Sequence, residues 1–179
     1  MFKITRATLA ALLAIAPKDD PREWLNAVYF YSDGRNAYAV APNGHFIVCQ
    51  TIGDHDCFVP LFGVPVFELE VALFAAKKAK TYSLNVGKST IECGVCISFD
   101  CVYWADARNL LALIVPPGDA ILGPNSGKYN AHYVAQVANL IGASEPWRKW
   151  RPVPIRTDCK SGDGYVDTGK TKARIMGVV

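Results

Sequence analysis

Gly164-Tyr-Val-Asp-Thr-Gly169-Lys170-Thr171 satisfies, residue for residue, the pattern of a loop that cradles nucleotide phosphates. Such a loop works only where it follows a buried parallel strand and opens a helix whose N-terminus faces the phosphates, with a downstream acid to place magnesium. The residues after Thr171 read Lys-Ala-Arg-Ile-Met-Gly-Val-Val, a strand-like run too short for a helix and a further strand. The motif is therefore expected to be a hairpin turn, without nucleotide hydrolysis. Cys93-Gly-Val-Cys96 has the spacing of a redox or metal pair, with Cys49, His55, Cys57 and Cys101 near it in sequence. The pair falls in the run Ile91 to Tyr103, which reads as a strand, and there an odd separation sends the two side chains to opposite faces. Buried thiols acting as small hydrophobes are the plainer reading. No metal and no cofactor is expected. Asp19-Asp20 reads as a turn, Glu68 and Glu70 do not share a helix face, and no Ser/His/Asp grouping stands out. An enzyme is not expected.

The elements that would carry these residues repeat. Phe2-Lys3-Ile4 reads as a short strand, Thr5 as an N-cap, and Leu9, Leu12, Leu13 and Ala16 as a helical stripe ending before Pro17. Strands are expected at about 26–32, 36–41 and 45–52, with turns at Asp33-Gly34 and Asn43-Gly44. The pattern returns with a strand at Cys57–Pro60, Pro65 opening a helix, and a stripe of Val66, Leu69, Leu73 and Phe74 ending near Lys80. Strands at about 81–86, 89–94 and 96–104 complete this unit. A third unit begins near Gly127, with Lys128-Tyr129 strand-like and Asn130 as N-cap. Its helix face is Tyr133, Val134, Val137, Ala138 and Ile141, ending at Gly142, before strands at about 152–158, 163–168 and 172–178. The fold class is therefore α+β, three tandem β-α-β-β-β units with antiparallel sheets and helices on one face. Residues 1–105 form a domain of two units, 106–126 a Pro- and Gly-containing linker, and 127–179 a half domain. Such sheets leave the other face exposed and carry open edges that invite another strand. Three units cannot all pair within one chain, so a homo-oligomer is expected.

Composition sets wider bounds. The 51% hydrophobic and 20% charged fractions suit a globular protein rather than a disordered one. No apolar run approaches the roughly 20 residues of a membrane helix, and Leu9 to Ala16 lacks the basic leader and cleavage site of a signal peptide. A cytoplasmic protein without a membrane partner is expected, its six cysteines reduced. A net charge of +3 is small for a nucleic-acid binder, so distribution counts for more than total. Lys77, Lys78 and Lys80 close one helix, and Arg148, Lys149 and Arg151 follow another beside Trp147 and Trp150. Cations at helix ends, favoured by the macrodipole, are the plainer account of each cluster.

The order of residues within the units resembles the bacterial DNA polymerase III β subunit family, the sliding clamps. Arg22-Glu-Trp-Leu-Asn-Ala-Val28 is similar to that family's R-x-x-L-N-G-V run, and Ala41-Pro-Asn-Gly-His45 to its A-T-D-G-H-R-L run. Phe58-Val-Pro60, the segment Leu113-Ile-Val-Pro116, the Tyr133-Val-Ala-Gln-Val-Ala-Asn-Leu helix and Ala173-Arg-Ile-Met-Gly-Val continue the likeness. Phe46 stands where the family has arginine, and Asn43 where it has aspartate. The resemblance implies a shortened clamp-like protein, lacking the family's first domain and half of its last.

It further implies a non-enzymatic role in replication. Clamps close rings by edge-to-edge sheet pairing and line the hole with helices whose basic side chains attract phosphates without reading bases. Candidate contacts to double-stranded DNA are Arg6, Lys77, Lys78, Lys80, Arg148, Lys149 and Arg151, although the helix from Asn130 to Ile141 carries no Lys or Arg. The homo-oligomer is expected to hold an even number of chains. Clamps also take short peptides of polymerases and repair proteins in an apolar pocket, for which Gly44, His45, Ile47, Pro116, Ile175 and Met176 are the matching positions. The plainer account of His45 is a turn histidine bonded to nearby backbone. A rival reading is a clamp-fold interaction protein, of the kind a compact phage genome would carry, that binds or competes with a cellular clamp without encircling DNA.

Overall fold

Thr5 is where the first strand hands over to the first helix. Strand β1 (Phe2–Thr5) turns Phe2 and Ile4 inward. Thr5 keeps an extended backbone, and its side chain accepts the Thr8 amide at 3.1 Å, satisfying a donor that the start of helix α1 (Arg6–Leu13) leaves unpaired. The apolar stripe runs past the helix, with Ile15 and Ala16 buried in the turn that follows. In the computed structural model, the described residues are 1–102, 110–114, 122–123, 128–148, 153–158, 161 and 163–177.

Three strands follow, β2 (Ala27–Asp33), β3 (Asn36–Pro42) and β4 (Phe46–Asp54). The first hairpin turns at Gly34, whose φ of +87° suits a residue without a Cβ, while Asp33 Oδ1 accepts the amides of Arg35 and Asn36. The second unit opens with a longer strand than its sequence suggests. β5 spans Phe58–Pro65 rather than Cys57–Pro60, because Phe62 and Val64 continue inward and pair with β2. Gly63 permits this: a Cβ there would sit 3.0 Å from both the Tyr29 ring and Val102. Helix α2 (Val66–Lys78) follows, with Pro65 as the residue before it, and then β6 (Ser83–Val86), β7 (Thr90–Glu92) and β8 (Cys96–Ser98).

The run from Ile91 to Tyr103 is thus not one strand. Gly94, at φ +91°, turns the chain between Cys93 and Cys96, and a Cβ on it would meet that of Ala79 at 2.5 Å. Cys93 is buried and Cys96 exposed, so the two thiols do part, through a turn rather than by strand alternation. Within the expected linker the structure places a short helix, α3 (Leu110–Ile114), and a strand, β9 (Leu122–Gly123). Lys128-Tyr129 is not a strand. Asn130 caps helix α4 (Ala131–Ser144) by accepting the His132 amide at 2.9 Å, and the helix continues through Gly142. Strands β10 (Ile155–Asp158), β11 (Gly164–Asp167) and β12 (Thr171–Ile175) end the described chain's regular structure.

The sheets exchange strands. One has the order β1-β6-β7-β8 and the other β5-β2-β3-β4-β12-β11-β10-β9. Each of the first two units therefore lends its opening strand to the other's sheet. The third unit joins the first edge to edge, with β12 antiparallel to β4 from Thr171 opposite Gln50 to Ile175 opposite Phe46. Helices α1, α2 and α4 form a layer over the main core, α1 touching both others, with Leu9, Leu12, Leu69, Leu140, Phe30 and Phe62 buried beneath.

The opposite sheet face is not bare. Leu110 and Ile114 of α3 pack there on Ala27, Tyr29, Val40, Ile47 and Cys49. Burial on both faces explains why β2 is almost wholly enclosed along its length.

Candidate functional site

The loop before β2 is built by its own polar side chains. Asn26 accepts the Asp20 amide and donates to the Asp20 carbonyl, both at 2.9 Å, while Leu25 is fully buried. Asp20 takes both the Nε and Nη2 protons of Arg22 at 2.9 Å. These hydrogen bonds to Arg22 hold the Asp20 carboxyl down at about 2, so the pair is ionised at neutral pH.

Arg22 in turn lies over the Asn43-Gly44 turn. Gly44 has φ +83°, and a Cβ on it would stand 2.5 Å from Arg22 Nη2. The turn closes through the Asn43 amide to the Phe46 carbonyl at 2.9 Å. Asn43 Nδ2 also donates to the Ile15 carbonyl at 2.6 Å, which ties the turn to the end of the first helix. From the other side, the Met176 amide donates to the His45 carbonyl at 3.0 Å, continuing the β4–β12 seam by one bond.

Around these contacts opens a hollow of about 250 Å³. Its apolar lining comes from Trp24, Pro42, Phe46 and Ile47, from Leu110 and Leu113 of α3, and from Met176. Arg22, Gly44, His45 and Arg174 complete it. Arg174 is held by Asp163, through Nε at 3.0 Å and Nη2 at 2.6 Å. The hollow thus has an apolar floor between two arginines, each already paired with a carboxylate. Its polar groups are the His45 imidazole and the two guanidiniums, set in an otherwise apolar lining.

Gly44, His45, Ile47 and Met176 come together here, as four of the six positions taken from the resemblance. Ile175 does not: it is fully buried in the main core on the other face of β12, and its neighbour Arg174 faces the hollow instead. Pro116 lies outside the described residues. The His45 ring is stacked on Tyr133 at 5.5 Å and 14°, rather than bonded to nearby backbone. Phe46 packs on the same tyrosine at 5.0 Å, so the residue standing in place of the family's arginine seats the turn on α4. Trp24, Leu110, Leu113 and Arg174 were missed from sequence. Strand parity at Met176 points to Arg174, two residues earlier, but nothing local pointed to α3.

The basic candidates are dispersed over the helix layer. Arg6 and Lys77 border one trough between α1 and α2. Lys78 Nζ sits 4.7 Å from the centroid of the Phe74 ring, and Lys80 follows α2 with φ +55°. Arg148 faces inward to Glu145, which is 2% exposed, at 3.0 Å. Lys149 and Arg151 lie outside the described residues.

The phosphate-loop pattern falls on the β11–β12 hairpin. Gly169 turns at φ +90°, Asp167 Oδ1 accepts its amide at 2.8 Å, and Thr168 Oγ1 accepts the Thr171 amide at 3.0 Å. Neither a parallel strand nor a helix flanks it. Lys170 reaches the Trp147 ring, 5.5 Å from its centroid. Among the described residues no three His, Cys, Asp or Glu side chains converge as a metal site would require, and no helix is long and apolar enough to cross a membrane.

No protein-family model matches the sequence, and no curated protein matches it. Solved structures do. The DNA polymerase III β subunit of Thermotoga maritima superposes with a TM-score of 0.63 at 10% identity, over 99% of this chain and 64% of that one. The corresponding subunit of Pseudomonas aeruginosa gives 0.64 at 13% identity, over 99% and 65%. The sliding clamp of Bartonella birtlesii gives 0.64 at 11% identity, over 99% and 64%. The chain thus spans about 65% of the length of the clamp chains it matches. At these identities the likeness is one of fold: over the length it spans, the chain has the sliding-clamp fold.

Proposed function

We propose that this protein is a non-enzymatic clamp of DNA replication, whose hollow at the Gly44 turn recruits a peptide of a partner protein. One observation carries the reading. Four segments far apart in sequence (Arg22–Trp24, Pro42–Ile47, α3 and Arg174–Met176) converge on one apolar hollow, beside a turn held from three sides. A short peptide with apolar side chains for the floor fits its chemistry. Residues 1–105 then act as a clamp domain, 106–126 as the connector and 127–179 as a half domain. Oligomerisation into a ring or arc would use the outer edges of the sheets, where β8 and β9 pair on one side only among the described residues. Arg6, Lys77, Lys78 and Lys80 would attract duplex phosphates, with affinity falling steeply in salt. The test is fluorescence anisotropy of a labelled clamp-binding peptide against the wild type and Met176→Ala. Saturable binding that the variant loses supports the reading, and no binding in either removes it.

A second reading has a specific observation in its favour. Helix α4 carries no Lys or Arg, and the outward face of α2 presents Phe67, Val71 and Phe74. A helix layer of this kind suits a clamp-fold interaction protein that does not encircle DNA. Retention on circular but not linearised DNA separates the two readings, since only a topological clamp slides off free ends.

A further inference from the structure

Strands β11 and β12 pair as far as Gly164 opposite Ile175, and the chain must then carry Met176 on to the hollow. Met176 is itself half exposed, so packing of its side chain does little to hold it there. Its place depends on the bonds around it. Successive amides of a strand point to opposite sides. The Met176 amide turns toward β4 and finds the His45 carbonyl at 3.0 Å. The Gly177 amide is met by a side chain, Asp163 Oδ1, at 3.3 Å. The other carboxylate oxygen, Oδ2, accepts Nε and Nη2 of Arg174. One carboxylate thus grips the chain on both sides of Met176, at residue 174 and at residue 177.

We propose that Asp163 is the positioning residue of the hollow, which it shapes by fixing Met176 and Arg174 without lining the hollow itself. The proposal rests on the reading of the hollow as a peptide site. Asp163 suits the task because it is buried and is itself fixed. It is 7% exposed, its amide donates to Ser161 Oγ at 3.3 Å, and its carbonyl accepts the Asp158 amide at 2.9 Å. Ser161 Oγ in turn donates to Asp158 Oδ2 at 2.8 Å, so the β10–β11 hairpin holds the carboxylate from below. Hydrogen bonds to an ionised acceptor are the stronger kind, and Arg174 brings two from one guanidinium. That guanidinium also lies over the Tyr165 ring, 5.8 Å from its centroid, directly across the strand pair. Without Asp163, Met176 keeps only the bond to His45, and Arg174 is released to swing across the hollow that it lines.

Amide hydrogen exchange followed by NMR on the full chain tests this without any ligand. The Met176 and Gly177 amides should be protected in the wild type. Asp163→Ala should speed the exchange of both by about tenfold or more, the order of one hydrogen bond to a charged acceptor. The Ala173 amide, in the middle of the seam, should keep its protection. Asp163→Ala leaves Arg174 without its partner, so Asp163→Ala with Arg174→Met serves as a second variant and should show the same loss at Gly177. A Gly177 amide that exchanges freely in the wild type overturns the proposal, as does protection that survives in both variants. So does a loss at Ala173 as large as that at Gly177, which would mark general destabilisation. Anisotropy of a labelled clamp-binding peptide then reads the consequence for the hollow. Asp163→Ala should weaken binding severalfold in the wild-type background and by less in the Met176→Ala background, because it acts in part through Met176. Equal losses in the two backgrounds overturn the positioning role. A wild type that binds no peptide removes the reading of the hollow instead, and the exchange result still decides whether Asp163 places Met176.

Discussion

Thr171 Oγ1 donates to Gln50 Oε1 at 2.6 Å, with both residues fully buried where β12 meets β4. Gln50 uses its amide nitrogen on the Thr51 carbonyl at 2.9 Å, so neither end of the side chain is left unpaired. A one-residue slip of the seam would break this pair and turn Arg174 into the core. The pair therefore fixes the register that brings Met176 to the Gly44 turn.

Thr171→Val should cost about 1–3 kcal/mol, because the shape is kept while a buried acceptor loses its donor. Urea denaturation reads this as a lower midpoint. Adding Gln50→Leu should make the double variant more stable than the sum of the two single losses.

Gly44→Ala should destabilise by about 1–2 kcal/mol from the left-handed backbone alone. The new methyl also displaces the Arg22 guanidinium, so peptide affinity should fall with stability. Differential scanning calorimetry and anisotropy on the same samples check both.

Met176→Ala should separate the two effects. Met176 is 52% exposed, and its seam contact is made by the backbone. The melting temperature should stay within about 2 °C of wild type, a change of under 1 kcal/mol, while peptide binding weakens severalfold.

Cys49 should behave unlike the exposed thiols. Burial pushes it up to about 11 from an ordinary 9.0, so the folded chain keeps a proton that the unfolded chain gives up. The resulting stability is complete below pH 9 and lost as pH rises through about 11. Cys49→Ala should flatten the decline of the urea midpoint across that interval. At pH 8, iodoacetamide should label Cys57 and Cys96 well before Cys49, as peptide mass spectrometry would show.

Lys170→Ala should leave any ATP turnover at the background of the preparation, since Lys170 sits on a hairpin against Trp147. A phosphate-release rate that the substitution abolishes would restore the loop reading.

Much of the fold was legible because its signals are local. The caps at Thr5 and Asn130, the turn at Gly34 and the apolar stripes each depend on neighbours within a few residues. The exchange of β1 and β5 between sheets was not legible, since which strands pair is decided by contacts across the chain. The strand that reads as Cys57–Pro60 runs on to Pro65, because Gly63 lets β5 pass close to the Tyr29 ring. At the hollow, the Gly44-His45 turn could be read from its residues, but the choice between Arg174 and Ile175 depends on the parity that β4 imposes on β12. Leu110 and Leu113 belong to a short helix in a stretch that reads as connector, and only packing reveals their side.

The exchanged opening strands also set the order of events during synthesis. Phe2 finds its partner only at Val86, and Ala27 only at Pro65. At roughly 5–20 residues per second of translation, β1 waits several seconds with its edge uncovered, and no half of the first two units closes by itself. A nascent chain stalled between them would display β1 as an open template, exposed to other nascent chains on the same message. Once residue 86 has emerged, β1 can pair with β6, whereas the larger sheet still waits for β12 at Thr171–Ile175.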